Sequence, residues 1–276
     1  MARRKSVNIE NSKALIHKLK STSIMPHFNM ASLDITNLYT NIPVTETQII
    51  FADIMKQSGR PQTRHVLMRW YETLTKQNYF TYSNNILIQK EGLAMGAPSS
   101  GLIEFFLQHI EHQHVARLSK KHKIINYFRY ADDILIIFDP NHSGIQNILA
   151  DFNTLHPNLQ FTAEMEENKT INYRDITIHR TPSNWKIAIY RKPTFTDTIV
   201  IPYTSNHPSQ HKHAAVKFLY NRLHTYDLQL DEFLPEENTI QNILYNNSFP
   251  TQPHHPKPQK QRLHTHTNTK MGHIYL

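Results

Sequence analysis

Apolar residues recur at helical spacing in several stretches of this chain of 276 residues. In one stretch Thr45 and Gln48 are spaced as a capping box, and in the next Val66, Trp70 and Leu74 recur every four residues. These patterns predict helices within residues 42–61, 63–77, 99–118, 209–226 and 236–246.

Runs typical of β-strands occupy much of the remaining sequence. Residues 78–90 predict a hairpin that turns at Asn84-Asn85, and further strands are predicted over 159–165, 173–180 and 185–192. The stretch NYFRYADDILIIF (126–138) places two adjacent carboxylates, Asp132 and Asp133, between two hydrophobic runs. Because helices and paired strands are mixed along the chain, the sequence predicts an α+β fold.

Composition narrows the class of protein. The chain has no cysteine, which excludes disulfides and thiolate metal sites. It has no apolar run of transmembrane length, and its basic start lacks the apolar segment of a signal peptide. We therefore expect an intracellular protein with no membrane partner. The basic run Arg3-Arg4-Lys5 suggests delivery to the nucleus, but three basic residues are too few to support that prediction. Residues 250–276, rich in Pro, His and Lys, are predicted to be disordered.

The net charge of +8 is concentrated in three places. Residues 1–30 carry six Lys or Arg against one acid, residues 251–276 carry four against none, and residues 186–224 carry six against one. Local basic surfaces of this kind suit contacts with nucleic-acid phosphates. Solvated surface charge is the alternative interpretation.

Carboxylates occur at two sites that are far apart in sequence. Asp34 ends a short apolar run, and Asp132 and Asp133 form the later pair. A loop cap and a hairpin turn are the alternative interpretations, since Asp is common in both. Mg²⁺, however, prefers hard oxygen ligands, and nucleotidyl transfer can use two such ions. Because neighbouring side chains on a strand diverge, we expect Asp34 and Asp132 as main ligands and Asp133 as auxiliary, with Mn²⁺ as an alternative metal.

A bend separates the two acidic sites. In KEGLAMGAPSSGLIEFF, Gly92, Gly96 and Pro98 allow the backbone to approach another group closely. An ordinary helix entry, capped by Ser99 or Ser100, is the alternative.

Three segments, in this order, resemble the palm motifs of reverse transcriptases: SLDITNLYTNIP, GLAMGAPSS and RYADDILIIF. Two later segments, LQFTAEMEENKTINYRDITIHR and IYRKPTFTDTIVIPYTSNHPSQHKHAAVKFLYNR, resemble reverse transcriptases of Penelope-like retroelements. The resemblance covers roughly residues 31–225. It implies a right-hand polymerase palm, with an antiparallel sheet and packed helices, followed by a C-terminal helical thumb.

The resemblance also implies roles for the residues of the motifs. Asp34, Asp132 and Asp133 would hold two magnesium ions. Tyr39 matches the aromatic position that selects deoxynucleotides by blocking a ribose 2′-OH, and a buried core tyrosine is the alternative. Gly92 and Pro98 would shape the loop behind the incoming nucleotide.

The later segments would contact nucleic acid. YRDITIHR matches the primer grip, and the residues expected to face the template–primer backbone are Lys192, Lys212, Lys217 and Arg222. His211 and His213 lie two apart in a predicted helix and would not share a face, which favours a surface role over a metal site.

The chain departs from the family at its start. Only about 30 residues precede the first motif, where the family has a longer fingers region, so we expect a truncated copy with the fingers largely missing. The predicted organisation is a basic N-terminal remnant (1–30), a palm (31–185), a thumb-like region (186–249) and the tail (250–276).

Two functions remain open. The first is an RNA-directed DNA polymerase, which transfers deoxynucleotides from their triphosphates to a DNA primer 3′-OH on an RNA template. The second is an inactive remnant that binds RNA or an RNA–DNA duplex. Only the first requires Asp34 and Asp132.

Overall fold

A computed structural model describes residues 8–23, 25–57, 61–94, 101–182, 184–196 and 200–250. The helices are α1 (Ser12–Lys20), α2 (Leu38–Asn41), α3 (Val44–Gln57), α4 (Pro61–Lys76), α5 (Leu102–His122), α6 (Ile145–Phe152), α7 (Ser209–Thr225) and α8 (Leu230–Asn246). The strands are β1 (Asn29–Ile35), β2 (Tyr79–Tyr82), β3 (Asn85–Ile88), β4 (Ile124–Tyr130), β5 (Asp133–Phe138), β6 (Phe161–Met165), β7 (Thr170–Tyr173), β8 (Ile176–Arg180) and β9 (Trp185–Ile189). Several predictions lie outside the described residues: those on Gly96, Pro98, Ser99, Ser100 and nearly all of the tail.

The five predicted helices correspond to α3, α4, α5, α7 and α8. The remaining helices, α1, α2 and α6, were not predicted. Asn11 caps the start of α1, and its side chain accepts a hydrogen bond from the Ala14 amide at 2.9 Å. Its buried residues Leu15, Ile16 and Leu19 show that part of the predicted basic remnant is folded. Among the helices of the described residues, none is long and apolar enough to cross a membrane.

The central sheet is antiparallel, in the order β4-β5-β1-β6. β1 therefore lies between β5, which follows the Asp132-Asp133 turn, and β6. Side chains on one face of this sheet, including Ala31, Leu33, Ile134 and Ile136, belong to the main hydrophobic core. α5 and α6 contribute Phe106, Ile110, Ile148 and Phe152 to the same core.

The opposite face of the sheet is also buried over most of its length. Met30, Leu135 and Ile137 lie on this face and are at most 1% exposed. A second antiparallel sheet, β7-β8-β9, contacts it through β7, and α1 contacts β9. The central sheet is thus a middle layer, which accounts for the continuous apolar run ILIIF in β5.

The segment predicted as one strand over 173–180 contains a turn. β7 ends at Tyr173 and β8 begins at Ile176, with Arg174 in the left-handed region at φ 56°. β8 then pairs with β9. Residues 186–189 therefore fold with the first of two compact units, which extends to Lys192 rather than to the predicted boundary after residue 185.

The second unit begins at Pro193 and contains α7 and α8. Its own core is small and is built mainly from Val200, Leu219, Leu223, Ile240 and Ile243. The helical content expected of this region is therefore present.

Candidate active site

The register of the central sheet brings the two acidic sites together. Leu33 of β1 is opposite Ile134 of β5, so the next residue along β1, Asp34, lies level with Asp133. Directly opposed residues of an antiparallel pair project from the same face of the sheet. Asp34 is exposed, and Asp132 and Asp133 are half-buried. Two carboxylates that are distant in sequence therefore become neighbours at one edge of the sheet.

The electrostatics of Asp133 reflect this proximity. Burial raises the pKa of Asp133 above its ordinary value, and the negative charges of Asp132 and Asp34 raise it further. Arg174 and Lys192 act in the opposite direction and lower the pKa of Asp133. The three predicted carboxylates thus form one interacting group, with two cations close by.

The turn that carries Asp132 has an uncommon backbone. Tyr130 pairs with Asp133, which leaves Ala131 and Asp132 as a two-residue turn. Ala131 has φ 52°, in the left-handed region that residues other than glycine rarely adopt. Such a conformation persists only where neighbouring groups hold it in place.

Three side chains contact this turn, one from β4 and two from the end of β7. Arg129 donates to the Ala131 carbonyl at 2.9 Å, and the Tyr173 hydroxyl donates to the Asp133 carbonyl at 2.9 Å. The Arg174 guanidinium lies over the Tyr130 ring, 3.2 Å from its centroid. The carboxylates therefore stand on a turn that is fixed at several points.

The side chain of Arg129, on β4, is only 1% exposed and lies against two glutamates of α5. Its guanidinium pairs with Glu104 at 2.9 Å and with Glu111 at 2.6 Å. Burial alone would lower the pKa of Arg129, but the bonds to both glutamates raise it above the ordinary value. Likewise, burial alone would raise the pKa of Glu104, yet the bonds from Arg129 hold it below the ordinary value. Arg129 and Glu104 are therefore both charged at neutral pH.

Tyr39 and Gly92, which the sequence placed around the nucleotide, lie against each other. The Leu93 amide donates to the Tyr39 carbonyl at 2.7 Å. A Cβ added at Gly92, where φ is 73°, would lie 2.5 Å from the Thr40 carbonyl oxygen. Gly92 is thus required by both its backbone angle and its close approach to α2. The Tyr39 side chain is half-buried and packs against the main core, which also suits its alternative interpretation as a core residue.

The predicted nucleic-acid contacts differ in their surroundings. Lys192 is exposed beside the carboxylates, and Lys217 is exposed on α7. Lys212 donates to the Tyr203 carbonyl at 2.7 Å and lies 5.4 Å from the centre of that ring. Arg222 is buried, at 8% exposed, and lies over Phe218 and Tyr226. A phosphate contact by Arg222 would therefore require its side chain to leave that position.

His211 and His213 of α7 are both exposed. The His213 ring nitrogen Nδ1 lies 2.8 Å from the Ser209 carbonyl oxygen, a contact within the first turns of the helix. This position agrees with a surface role.

The donor set at the carboxylates fits magnesium. Within the described ranges, no group of three His, Asp or Glu side chains is arranged to hold a metal ion by itself. Mg²⁺ commonly takes only one or two protein carboxylates and completes its octahedron with substrate phosphates and water. Asp34, Asp132 and Asp133 supply carboxylates whose mutual repulsion a cation would relieve.

Sequence reasoning missed the residues that support the turn. Arg129 immediately precedes Tyr130, and Glu104 and Glu111 are spaced seven residues apart, which places them on one face of a helix. That spacing was the available signal for an internal ion cluster. Tyr173 and Arg174 belong to the segment that matched the primer grip, but their contacts with the turn depend on how the second sheet packs against the central one.

No protein-family model matches the chain, and no curated protein sequence matches it. Solved structures, in contrast, do match the chain. The telomerase from Candida albicans, in complex with the TWJ fragment of telomeric RNA, aligns with a TM-score of 0.62 at 13% identity, over 87% of this chain and 43% of that chain. The apo telomerase from Candida tropicalis aligns with a TM-score of 0.52 at 9% identity, over 89% and 46%.

The chain spans less than half the length of these telomerase chains. At such identities the likeness establishes the fold. The molecule has a mixed α+β, reverse-transcriptase-like polymerase palm fold, with antiparallel sheets and packed helices.

Proposed function

We propose that this chain is an RNA-directed DNA polymerase of a Penelope-like retroelement. The observation that carries the proposal is the meeting of Asp34 with the Asp132-Asp133 turn at one edge of a polymerase palm. Asp34 of the first palm motif and Asp132 of the third are 98 residues apart in the sequence. Their convergence in the fold is what a catalytic site built from those motifs requires.

Asp34, Asp132 and Asp133 would hold the magnesium ions. Bound there, the metal would activate the primer 3′-OH and stabilise the charge on the departing pyrophosphate. The protein's contribution is the placement of these carboxylates on a turn that Arg129 and Tyr173 fix in position. Held in this way, the carboxylates need little rearrangement before the reaction.

Cations close to the carboxylates would contact the phosphates of the nucleic acid. Arg174 and Lys192 are close enough to Asp133 to lower its pKa, so a phosphate near this edge would meet positive charge. On α7, exposed Lys217 is the predicted contact with the template–primer backbone. Such contacts read phosphate position and duplex shape, since an RNA–DNA duplex exposes little readable sequence in its deep groove.

Nucleic-acid binding has separate support from the fold. The structure of Candida albicans telomerase that aligns with this chain contains a fragment of telomeric RNA. We propose an RNA template, a DNA primer and deoxynucleoside triphosphates as the partners of this chain, with the nucleus as one candidate location.

Primer extension tests the proposal. The purified chain is given a DNA primer annealed to an RNA template and the four deoxynucleoside triphosphates, with Mg²⁺ or Mn²⁺, beside Asp132→Ala as the control. We expect extension by the wild-type chain and its loss in the variant. Binding of the same duplex is measured in parallel and should survive the substitution, because Asp132 is not expected to contact the phosphates directly.

The alternative function predicts a different pair of results. A chain that binds the duplex, with and without Asp132, but extends no primer under either metal would be a nucleic-acid-binding remnant. That outcome would overturn the polymerase proposal while leaving the fold assignment intact.

A further inference from the structure

Arg129 uses every hydrogen-bond donor of its guanidinium. Nε donates to Glu111 at 2.6 Å, Nη1 to Glu104 and to the Ala131 carbonyl, each at 2.9 Å, and Nη2 to Glu104 at 2.9 Å and to Glu111 at 3.0 Å. Four of the five bonds reach carboxylates on α5. The fifth reaches the backbone of the turn that carries Asp132.

This cluster also connects the turn to other parts of the first unit. Tyr127 donates to Glu111 at 2.9 Å, Asn8 donates to Glu104 at 2.9 Å, and the Ile9 amide donates to the Arg129 carbonyl at 2.8 Å. The Arg129 side chain therefore has little freedom to move. A bond from such a side chain fixes its acceptor.

Stability alone is a weak explanation for a buried ion cluster. Well-packed apolar residues of similar volume commonly stabilise a protein as well or better, because charged groups lose hydration on burial. A specific geometric role is the better-founded explanation where one exists. Here the candidate role is the bond to Ala131.

Ala131 is in a conformation that it would not hold unaided. Its φ of 52° is unfavourable for a residue with a Cβ, and it begins the two-residue turn. The bond from Arg129 fixes the Ala131 carbonyl, and therefore the peptide plane that leads into Asp132. The direction in which Asp132 leaves the turn follows from that plane.

The chain contains a closely matched arginine elsewhere. Arg180 is also buried, at 6% exposed, pairs with a carboxylate, Glu166, and donates to a backbone carbonyl, that of Pro26, at 2.8 Å. It lies at the end of β8, and none of its described bonds reaches the carboxylate turn. Arg180 therefore separates the effect of losing a buried arginine from the effect of releasing the turn.

We infer that Arg129 is a positioning residue for the metal site: its bond to Ala131 holds the turn in the left-handed conformation that keeps Asp132 beside Asp133 and Asp34. This inference rests on the proposed function, because it assigns Arg129 to the site at which magnesium would bind. It identifies a residue other than the three carboxylates on which cation affinity depends.

Binding of Mn²⁺ to the full chain, followed by the electron paramagnetic resonance signal of the free ion, tests the inference without relying on activity. Arg129→Lys keeps the charge but not the planar fork of donors. We expect it to weaken Mn²⁺ binding by about tenfold or more, as loss of a residue supporting a metal ligand commonly does. Arg180→Lys should leave Mn²⁺ affinity unchanged, although both variants lower thermal stability.

A rescue variant distinguishes positioning from general support of the fold. Glycine adopts the left-handed region without strain, so Arg129→Lys with Ala131→Gly should recover most of the Mn²⁺ affinity. Its thermal stability should stay low, because the ion cluster is still broken. Glu104→Gln, a milder change that leaves Arg129 in place, should weaken Mn²⁺ binding less and should also be rescued by Ala131→Gly.

The outcomes separate this inference from the proposed function. A wild-type chain with no Mn²⁺ site that depends on Asp34 would overturn both. Wild-type binding that Arg129→Lys leaves intact, or that Arg129→Lys and Arg180→Lys reduce equally, would overturn the inference alone. Failure of Ala131→Gly to restore affinity in both the Arg129→Lys and Glu104→Gln backgrounds would also overturn it.

Discussion

The two ends of the β1–β5 strand pair have different chemistry. From Met30 to Leu33 of β1, the facing residues of β5 are apolar and nearly inaccessible to solvent. One residue further along β1, the pair ends in carboxylates: Asp34 on one strand and Asp133, with Asp132 before it, on the other. The change occurs within a single residue step.

One end of the strand pair therefore stabilises the fold, and the other end carries the groups that could do chemistry. The apolar end removes hydrocarbon surface from water, which stabilises the fold. The acidic end gathers three like charges, two of them in partly buried positions, which raises the pKa of Asp133 and destabilises the fold when all are ionised. A cluster that the fold tolerates at such a cost is a candidate for function.

The largest expected effect follows from neutralising the acidic end. Asp34→Asn should reduce primer extension by about a thousandfold, because loss of a metal ligand removes several kcal/mol of transition-state stabilisation. The free energy of unfolding should rise slightly, by roughly 0.5 kcal/mol, since one repelling charge is gone. Extension rates and urea unfolding of the same preparation check both effects. A large fall in stability would contradict the assignment of this end to chemistry.

The apolar end should give the reverse result. Ile136→Ala removes a side chain that is 0% exposed in the main core, so we expect unfolding to become easier by about 3 kcal/mol. Extension per folded molecule, measured well below the melting temperature, should change little. An extension defect as large as that of Asp34→Asn would show that the two ends are not separable.

The loop beside α2 offers a third test. Gly92→Ala introduces a Cβ 2.5 Å from the Thr40 carbonyl oxygen at a φ of 73°, so we expect a loss of roughly 2 kcal/mol. Gly101→Ala is the matched control, because a Cβ at Gly101 meets nothing within 4 Å. Thermal melting of both variants makes the comparison. Equal melting temperatures would mean that the loop does not need this close approach.

The smallest expected effect is a pH dependence. The pKa of Glu104 is held below its ordinary value of 4.5, so its contribution to stability is complete above that pH and is lost as the pH falls through the lower, folded-state pKa. Urea unfolding between pH 6 and pH 3 should therefore show a decline that is shallower in Glu104→Gln. If stability declines with pH equally steeply in both proteins, Glu104 does not contribute to the decline.

Much of the site could be predicted because its signals are local in sequence. The turn at Asp132 lies between two apolar runs, and Asp34 ends another, so each site was recognisable by itself. The fold adds the register of β1 against β5, which determines that Asp34 is level with Asp133. The sequence favours Asp132 as the partner of Asp34, and the order of the ligands stays a prediction.

Other features depended on contacts between distant segments. The turn at Arg174 has no glycine or asparagine to mark its left-handed backbone, so the segment looked like one strand. α1 carries Leu15, Ile16 and Leu19 on one side, but its basic residues dominated the interpretation of this region. Its helical form is stabilised by packing against β9, which sequence spacing does not reveal.

The most direct test of the central claim compares carboxylates at the two ends of β5. Asp139 follows the last residue of β5, is 8% exposed, and lies at the opposite end of the strand from Asp133. Mn²⁺ binding is measured for the wild-type chain, Asp34→Asn and Asp139→Asn. We predict that Asp34→Asn weakens binding by at least about tenfold and that Asp139→Asn leaves it unchanged. Equal affinities in all three proteins, or a loss only in Asp139→Asn, would contradict the claim that the edge formed by Asp34, Asp132 and Asp133 is the metal site.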